Sequence, residues 1–133
     1  MRVVLDTNLL VSAFVFPGGP PESVYRRVLD GSLTLIVSRP LLAELGRVLT
    51  GKFGWEASYA EEVLAQLLRV GDLVEPQQRV DDVHDDPADN RVLEAAAEGD
   101  ADMIVSGDRH LRRLGSWRGV PVLDPAAFLD ELT

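Results

Sequence analysis

Four acidic residues, Asp6, Glu44, Asp89 and Asp108, occupy the positions where an α/β chain gathers chemistry. Asp6 closes the apolar run RVVL, and Asp108 follows ADMIVSG; both therefore stand at the ends of expected strands. Glu44 lies within LLAELGRVL, about one turn into a helix that follows a second apolar run, and Asp89 lies in the opening turn of a helix begun by DPADN. Functional groups in open parallel sheets collect at the carboxyl ends of the strands, so all four are expected at one sheet edge. Carboxylates crowded in this way repel one another unless some are protonated or a cation joins them. Hard oxygen donors favour Mg²⁺, Mn²⁺ or Ca²⁺ over zinc, and Mg²⁺ keeps several of its waters while taking only a few carboxylates. The chemistry that fits is that of a hydrated catalytic metal.

Each acid alone has an ordinary alternative. A single Asp after a strand is commonly a turn residue, a first-turn Asp complements the helix dipole, and a Glu opposite a leucine stripe is commonly solvated. The ordered set at one edge is what carries weight. In VDDVHDDPADN, Asp86 precedes Pro87 and fits a helix N-cap, which leaves Asp89 as the better ligand and Asp81, Asp82 and Asp85 as a solvated loop. His84 and His110 have no special spacing and are left outside the site.

The elements that must position these acids alternate. RVVL is a short buried strand, followed by a polar turn at Thr7 and Asn8 and a helix from Leu9 to about Phe16. PGGPP breaks the chain, a helix runs on to Asp30, and LTLIVS is the second strand, with Ser38 placed to cap the next helix. After a loop through KFGW comes an amphipathic helix from about Ala57 to Val70, ended by Gly71, and then a weak strand LVEP. A helix from about Pro87 to Glu98, the strand before Asp108, a short helix from Arg109 to Leu114, the strand GVPVL and a helix opened by Asp124 and Pro125 complete the chain. Strands alternating with helices imply right-handed crossovers and a parallel sheet covered on both faces. The expected fold is α/β: a three-layer α/β/α sandwich around a parallel sheet of about five strands, in one domain over residues 1–133.

With 133 residues, 46% of them hydrophobic, the chain can close one layered core. Cysteine is absent, which excludes disulfides, thiolate-bound zinc and a thiol nucleophile. The N-terminal run lacks a basic leader and no apolar stretch approaches the roughly 20 residues of a membrane helix, so a soluble, cytoplasmic protein with no membrane partner is expected. A formal net charge of -9 opposes nucleic-acid binding at first sight. Acids neutralised by a metal reduce that objection, and the cations are almost all arginine, the bidentate phosphate binder, with Arg109, Arg112 and Arg113 the basic group beside Asp108.

LDTNLLVSA, the S-x-P-L-L-x-E-L helix, DPADNRVLEAA, ADMIVSGDRHL and VPVLDPAAFL together resemble the PIN-domain family, in particular its VapC-like toxin components. The resemblance covers almost the whole chain. It implies a Mg²⁺- or Mn²⁺-dependent endoribonuclease whose acidic quartet falls on Asp6, Glu44, Asp89 and Asp108, with Thr7, Asn8 and Ser106 supporting the site. It also implies an RNA substrate, a homodimer and a cognate antitoxin that blocks the active site. Without a protein nucleophile, water attacks the phosphodiester and the product carries a 5'-phosphate and a 3'-hydroxyl. A phospho-receiver domain would need a lysine near the end of a late strand, whereas the only lysine is Lys52; a haloacid-dehalogenase-like phosphatase would open with D-x-D, where this chain has D-T-N. The remaining alternative is a non-catalytic PIN-like module that binds RNA or protein.

Overall fold

The computed structural model describes residues 1–132. The elements follow in the order β1 (Arg2–Leu5), α1 (Thr7–Val15), α2 (Pro20–Leu29), β2 (Thr34–Ser38), α3 (Arg39–Arg47), a π-helical turn (Val48–Lys52) and α4 (Ala57–Val70). Then come β3 (Gly71–Val74), α5 (Asp89–Glu98), β4 (Met103–Val105), α6 (Arg109–Arg112), β5 (Ser116–Trp117), β6 (Val120–Leu123) and α7 (Pro125–Glu131). The sheet order is β3-β2-β1-β4-β6-β5, parallel throughout except for β5, which pairs antiparallel with β6.

Side-chain alternation along the strands divides the apolar residues between two layers. Val3, Leu5, Leu35, Val37, Met103 and Val105 face a core built with α1, α2, α4 and α7. Val4, Ile36, Ile104 and Val122 point the other way, against Val92, Leu93 and Ala96 of α5 and Leu111 of α6. This is the three-layer sandwich expected of near-continuous apolar strands buried on both faces. Helix α3 joins the layers: Leu42 and Leu45 belong to the first core and Leu41 to the second. It touches both α1 and α5, which places the helix of Glu44 between those of Thr7 and Asp89.

Several boundaries differ from the sequence reading for local reasons. Thr7 and Asn8 are the first residues of α1 and not a turn, because the Asp6 side chain caps the helix by accepting from the Leu9 N–H at 2.7 Å. Gly71 opens β3 instead of merely ending α4; a Cβ there would sit 2.7 Å from the Leu67 carbonyl oxygen, so the abrupt change from helix to strand requires glycine. Helix α5 begins at Asp89, after a turn in which Asp89 and Asn90 donate to the Asp86 and Pro87 carbonyls. The sixth strand, β5, was not expected; Arg118 and Gly119, both at positive φ, turn it tightly back onto β6.

The acidic loop between β3 and α5 is less solvated than its composition suggests. Val80 and Val83 are buried, the Asn90 side chain both accepts from the Val83 N–H and donates to the Val83 carbonyl, and Glu94 accepts from the Val80 N–H. Asp82, expected to be free, accepts from the Trp117 indole N–H at 2.7 Å. These side-chain anchors hold the loop in place of a backbone ladder. Asn90→Ala leaves both Val83 backbone groups unpartnered and is expected to cost about 1–3 kcal/mol in urea unfolding. Unchanged stability would show that the loop is held elsewhere.

Candidate active site

Asp6 leaves the end of β1 and is 2% exposed, because its own N–H pairs with the Val105 carbonyl and draws it between β1 and β4. One carboxylate oxygen caps α1, and the other accepts a short hydrogen bond from the Ser106 hydroxyl. Ser106, fully buried, in turn accepts from the Asp108 N–H at 2.9 Å, so one hydroxyl ties the first strand's acid to the fourth strand's loop. Asp108 caps α6, accepting from the His110 N–H at 2.7 Å. Thr7 donates to Glu44 at 3.4 Å, a weak link between α1 and α3.

Carboxylate oxygens of Asp86, Asp89 and Asp108 all lie within 4.8 Å of one another. Asp6, Thr7, Asn8, Glu44, Asp86 and Asp89 line one cleft of about 20 Å³, room for a single ion or water. Asp89 and Asp108 thus share the tight group with Asp86, while Asp6 and Glu44 meet Asp89 in the cleft. Asp86 was set aside as an N-cap; its side chain does accept from the Ala88 N–H at 3.2 Å, yet it also faces the other acids. The signal available in the sequence was its spacing of three residues from Asp89, one helical turn, which the proline between them obscured. His110 carries a buried Nδ1 without a hydrogen bond, 3.5 Å from Asp85. Of the basic group, Arg109 is exposed, whereas Arg112 and Arg113 lie 3.5 and 3.8 Å from Asp124 and Asp85.

Crowding and burial show in the protonation of these groups. Burial, followed by the charges of Asp108, Asp86 and Asp6, pushes Asp89 up to about 8, aided by a hydrogen bond to Asp108 that only its protonated form can donate. Burial pushes Asp6 up to about 6 in spite of its hydrogen bonds from Ser106 and Leu9. Glu44 is raised by burial and by Asp86, with Thr7 and Arg47 opposing. The residues fit a divalent cation on a separate observation: Asp89, one of the group of three acids, has a buried Oδ2 without any hydrogen-bond partner. An unpaired buried oxygen is costly, and an ion satisfies it.

Comparison with known proteins bears on the fold and the family. The family model for the PIN domain matches residues 2–110. The uncharacterized protein MJ1680 of Methanocaldococcus jannaschii is 25% identical over 115 residues, covering 84% of this chain and 73% of its own length. Among solved structures, a chain of VapBC2 from Rickettsia felis, bound to a DNA fragment from the promoter, superposes with a TM-score of 0.64 at 13% identity, covering 93% of this chain and 98% of its own. A chain of VapBC-1 from nontypeable Haemophilus influenzae gives 0.62 at 14% identity, with 95% and 99% covered. Those two likenesses establish a shared fold, and the match over residues 2–110 establishes more: the chain belongs to the PIN-domain family.

Proposed function

We propose that the protein is a Mg²⁺- or Mn²⁺-dependent endoribonuclease and the toxin of a toxin-antitoxin pair. PIN domains are generally nucleases, and the observation that carries the reading is the buried, unpartnered Asp89 oxygen within a group of three acids beside Asp6 and Glu44. Asp86, Asp89 and Asp108 would hold the cation directly, with Asp6 and Glu44 closing the cleft from β1 and α3. When bound, such an ion supplies Lewis acidity toward a phosphoryl oxygen and acidifies water.

The chain's own residues do the positioning. Ser106 fixes Asp6 against the Asp108 loop, so the two strand-end acids move as one unit. Thr7 steadies Glu44, and Asn8, exposed at the mouth of the cleft, offers an amide to a substrate phosphate or a water. Asp89, whose proton burial and its acidic neighbours hold to about pH 8, would have to give that proton up to serve as a ligand. No cysteine or other protein nucleophile is required, so the product is expected to carry a 5'-phosphate.

The antitoxin is proposed as the protein partner because the solved relatives in fold are VapBC assemblies. An apolar groove of about 580 Å³ lined by Phe14, Trp55, Tyr59 and Val63, with Glu56 and Glu62 in its walls, suits an amphipathic segment carrying basic side chains. A homodimer is proposed with it. Among the described residues no helix is long and apolar enough to cross a membrane.

The test is a gel assay of single-stranded and hairpin RNA with Mn²⁺, with Mg²⁺ and with EDTA. Cleavage in either metal, lost in EDTA and leaving 5'-phosphate ends, is the expected result. Metal binding by calorimetry without any cleavage would favour the non-catalytic module instead.

A further inference from the structure

Residues 75–88, which join β3 to α5, contain neither helix nor strand, and a connection of that length without structure of its own is uncommon in a compact domain. Side chains hold it from two sides. On the inner side the N–H groups of Gln77, Val80 and Val83 donate to the side chains of Glu98, Glu94 and Asn90. These acceptors follow one another by four along α5 and share one of its faces, so the segment runs antiparallel to the helix toward the acidic cleft. On the outer side Gln78 accepts from the Arg118 guanidinium, and Asp82 accepts from the Trp117 indole N–H at 2.7 Å. Asp85 stands 3.5 Å from His110 Nδ1 and 3.8 Å from the Arg113 guanidinium. Composition alone makes Asp82 and Asp85 a solvated loop and His110 a bystander; the fold brings these groups together immediately before Asp86.

The consequence falls on Asp86. Of the three acids whose oxygens lie within 4.8 Å of one another, Asp89 is built into α5 and Asp108 caps α6, whereas Asp86 belongs to the segment without helix or strand. Its own bond, from the Ala88 N–H at 3.2 Å, orients the side chain locally and does not set its distance from Asp108. Like charges at this spacing push it away until a cation joins them, so something outside the group must keep it near. Asp85 precedes Asp86 in the chain, and His110 and Arg113 follow Asp108, so the contact among them ties the two halves of the acid group from outside. We propose that Asp82 and Asp85 are positioning residues for the cation: clasped by Trp117, His110 and Arg113, they hold Asp86 where it can share one ion with Asp89 and Asp108. The choice of a divalent cation rests on the reading given above. An exposed ion pair alone contributes little, but here the ties act together on one short segment, and the Trp117 ring, 6% exposed, gives them a rigid anchor.

Isothermal titration calorimetry of the full chain with Mn²⁺ alone, at one pH, tests the clasp. Asp82→Ala with Asp85→Ala should weaken the affinity about tenfold, the scale usual for residues that orient metal ligands without touching the metal. Asp82→Asn with Asp85→Asn removes the same charges but keeps oxygen acceptors for the Trp117 indole and the Arg113 guanidinium, and should bind nearly as wild type does. Trp117→Phe keeps an aromatic ring, loses the donor and should weaken binding in the same direction as the alanine pair. In a chain carrying Asp86→Asn, whose affinity is already lower, the alanine pair should change nothing further, because the clasp acts through Asp86. Equal losses in the alanine and asparagine pairs would assign the effect to charge, and an equal loss with and without Asp86→Asn would place it elsewhere; either outcome overturns the positioning role. Should the alanine pair fail to fold, judged by circular dichroism in EDTA, Trp117→Phe with and without Asp86→Asn decides in its place. Native Mn²⁺ binding untouched by the alanine pair and by Trp117→Phe refutes the clasp alone, whereas no binding by the native chain overturns the cation reading and the clasp with it.

Discussion

Asp6→Asn and Asp108→Asn are each expected to lower RNA cleavage by about three orders of magnitude, equivalent to about 4 kcal/mol of lost transition-state stabilisation, with the fold intact. The size follows from what the substitution removes. An amide has the shape of the carboxylate but no charge, and its NH₂ cannot ligate a cation. The structural duties of both residues survive: each uses one oxygen as a helix cap, to the Leu9 N–H from Asp6 and to the His110 N–H from Asp108, and asparagine caps as well as aspartate does. At Asp6 the amide NH₂ can donate to the Ser106 hydroxyl, which turns to accept. Alanine would abolish activity too, but it should cost a further 0.5–2 kcal/mol or so through the lost cap. The asparagine and alanine variants together separate chemistry from folding. Wild-type cleavage rates in both asparagine variants would remove these acids from the mechanism.

The reason these acids could be read from the sequence is that each sits next to an element whose signal is strong. Asp6 and Asp108 end apolar runs too short and too β-branched to be helices, and in a parallel sheet the end of a strand is an address. Glu44 interrupts a leucine stripe that fixes its helix face. What escaped reading lacks such a neighbour. Asp86 precedes a proline, and an Asp-Pro pair satisfies a capping rule so well that it hides how close the same side chain comes to Asp89 and Asp108. Val48 and Leu49 continue the apolar spacing of α3, so the π-helical turn at Val48–Lys52 reads in the sequence as more of the same helix. Strand β5 is two residues long and exists because Arg118 and Gly119 accept left-handed backbone angles, which the sequence hinted at only through the glycine. The anchoring of the acidic loop by Asn90 and Glu94 is a set of contacts between side chains and distant backbone, and such pairing becomes visible only once the chain is folded.

The second large effect concerns stability and runs against the first. Without metal, Asp89→Asn is expected to stabilise the protein at neutral pH by on the order of 3 kcal/mol while eliminating cleavage. In the unfolded chain Asp89 and Asp6 lose their protons near 3.8, whereas in the folded chain they hold them to about 8 and about 6. Across that interval the unfolded state binds fewer protons, so stability falls as pH rises from about 4, and it levels off once Asp89 has ionised above about 8. The amide has no proton to lose, still donates to Asp108 and ends this decline for its position. A divalent cation reverses the order: it binds the wild-type acids and displaces their protons, adding about 2.7 kcal/mol at a hundredfold excess over its dissociation constant, and the variant gains less. Thermal unfolding of both proteins at pH 5, 6.5 and 8, with EDTA and with Mn²⁺, measures the four corners of this cycle. A metal-free wild type equally stable at pH 5 and 8, or an Asp89→Asn variant less stable than wild type in EDTA, would mean that the acids are not crowded enough to need an ion. Proton uptake or release on adding Mn²⁺ at pH 7 gives an independent reading, since a cleft that already held ionised carboxylates would release none.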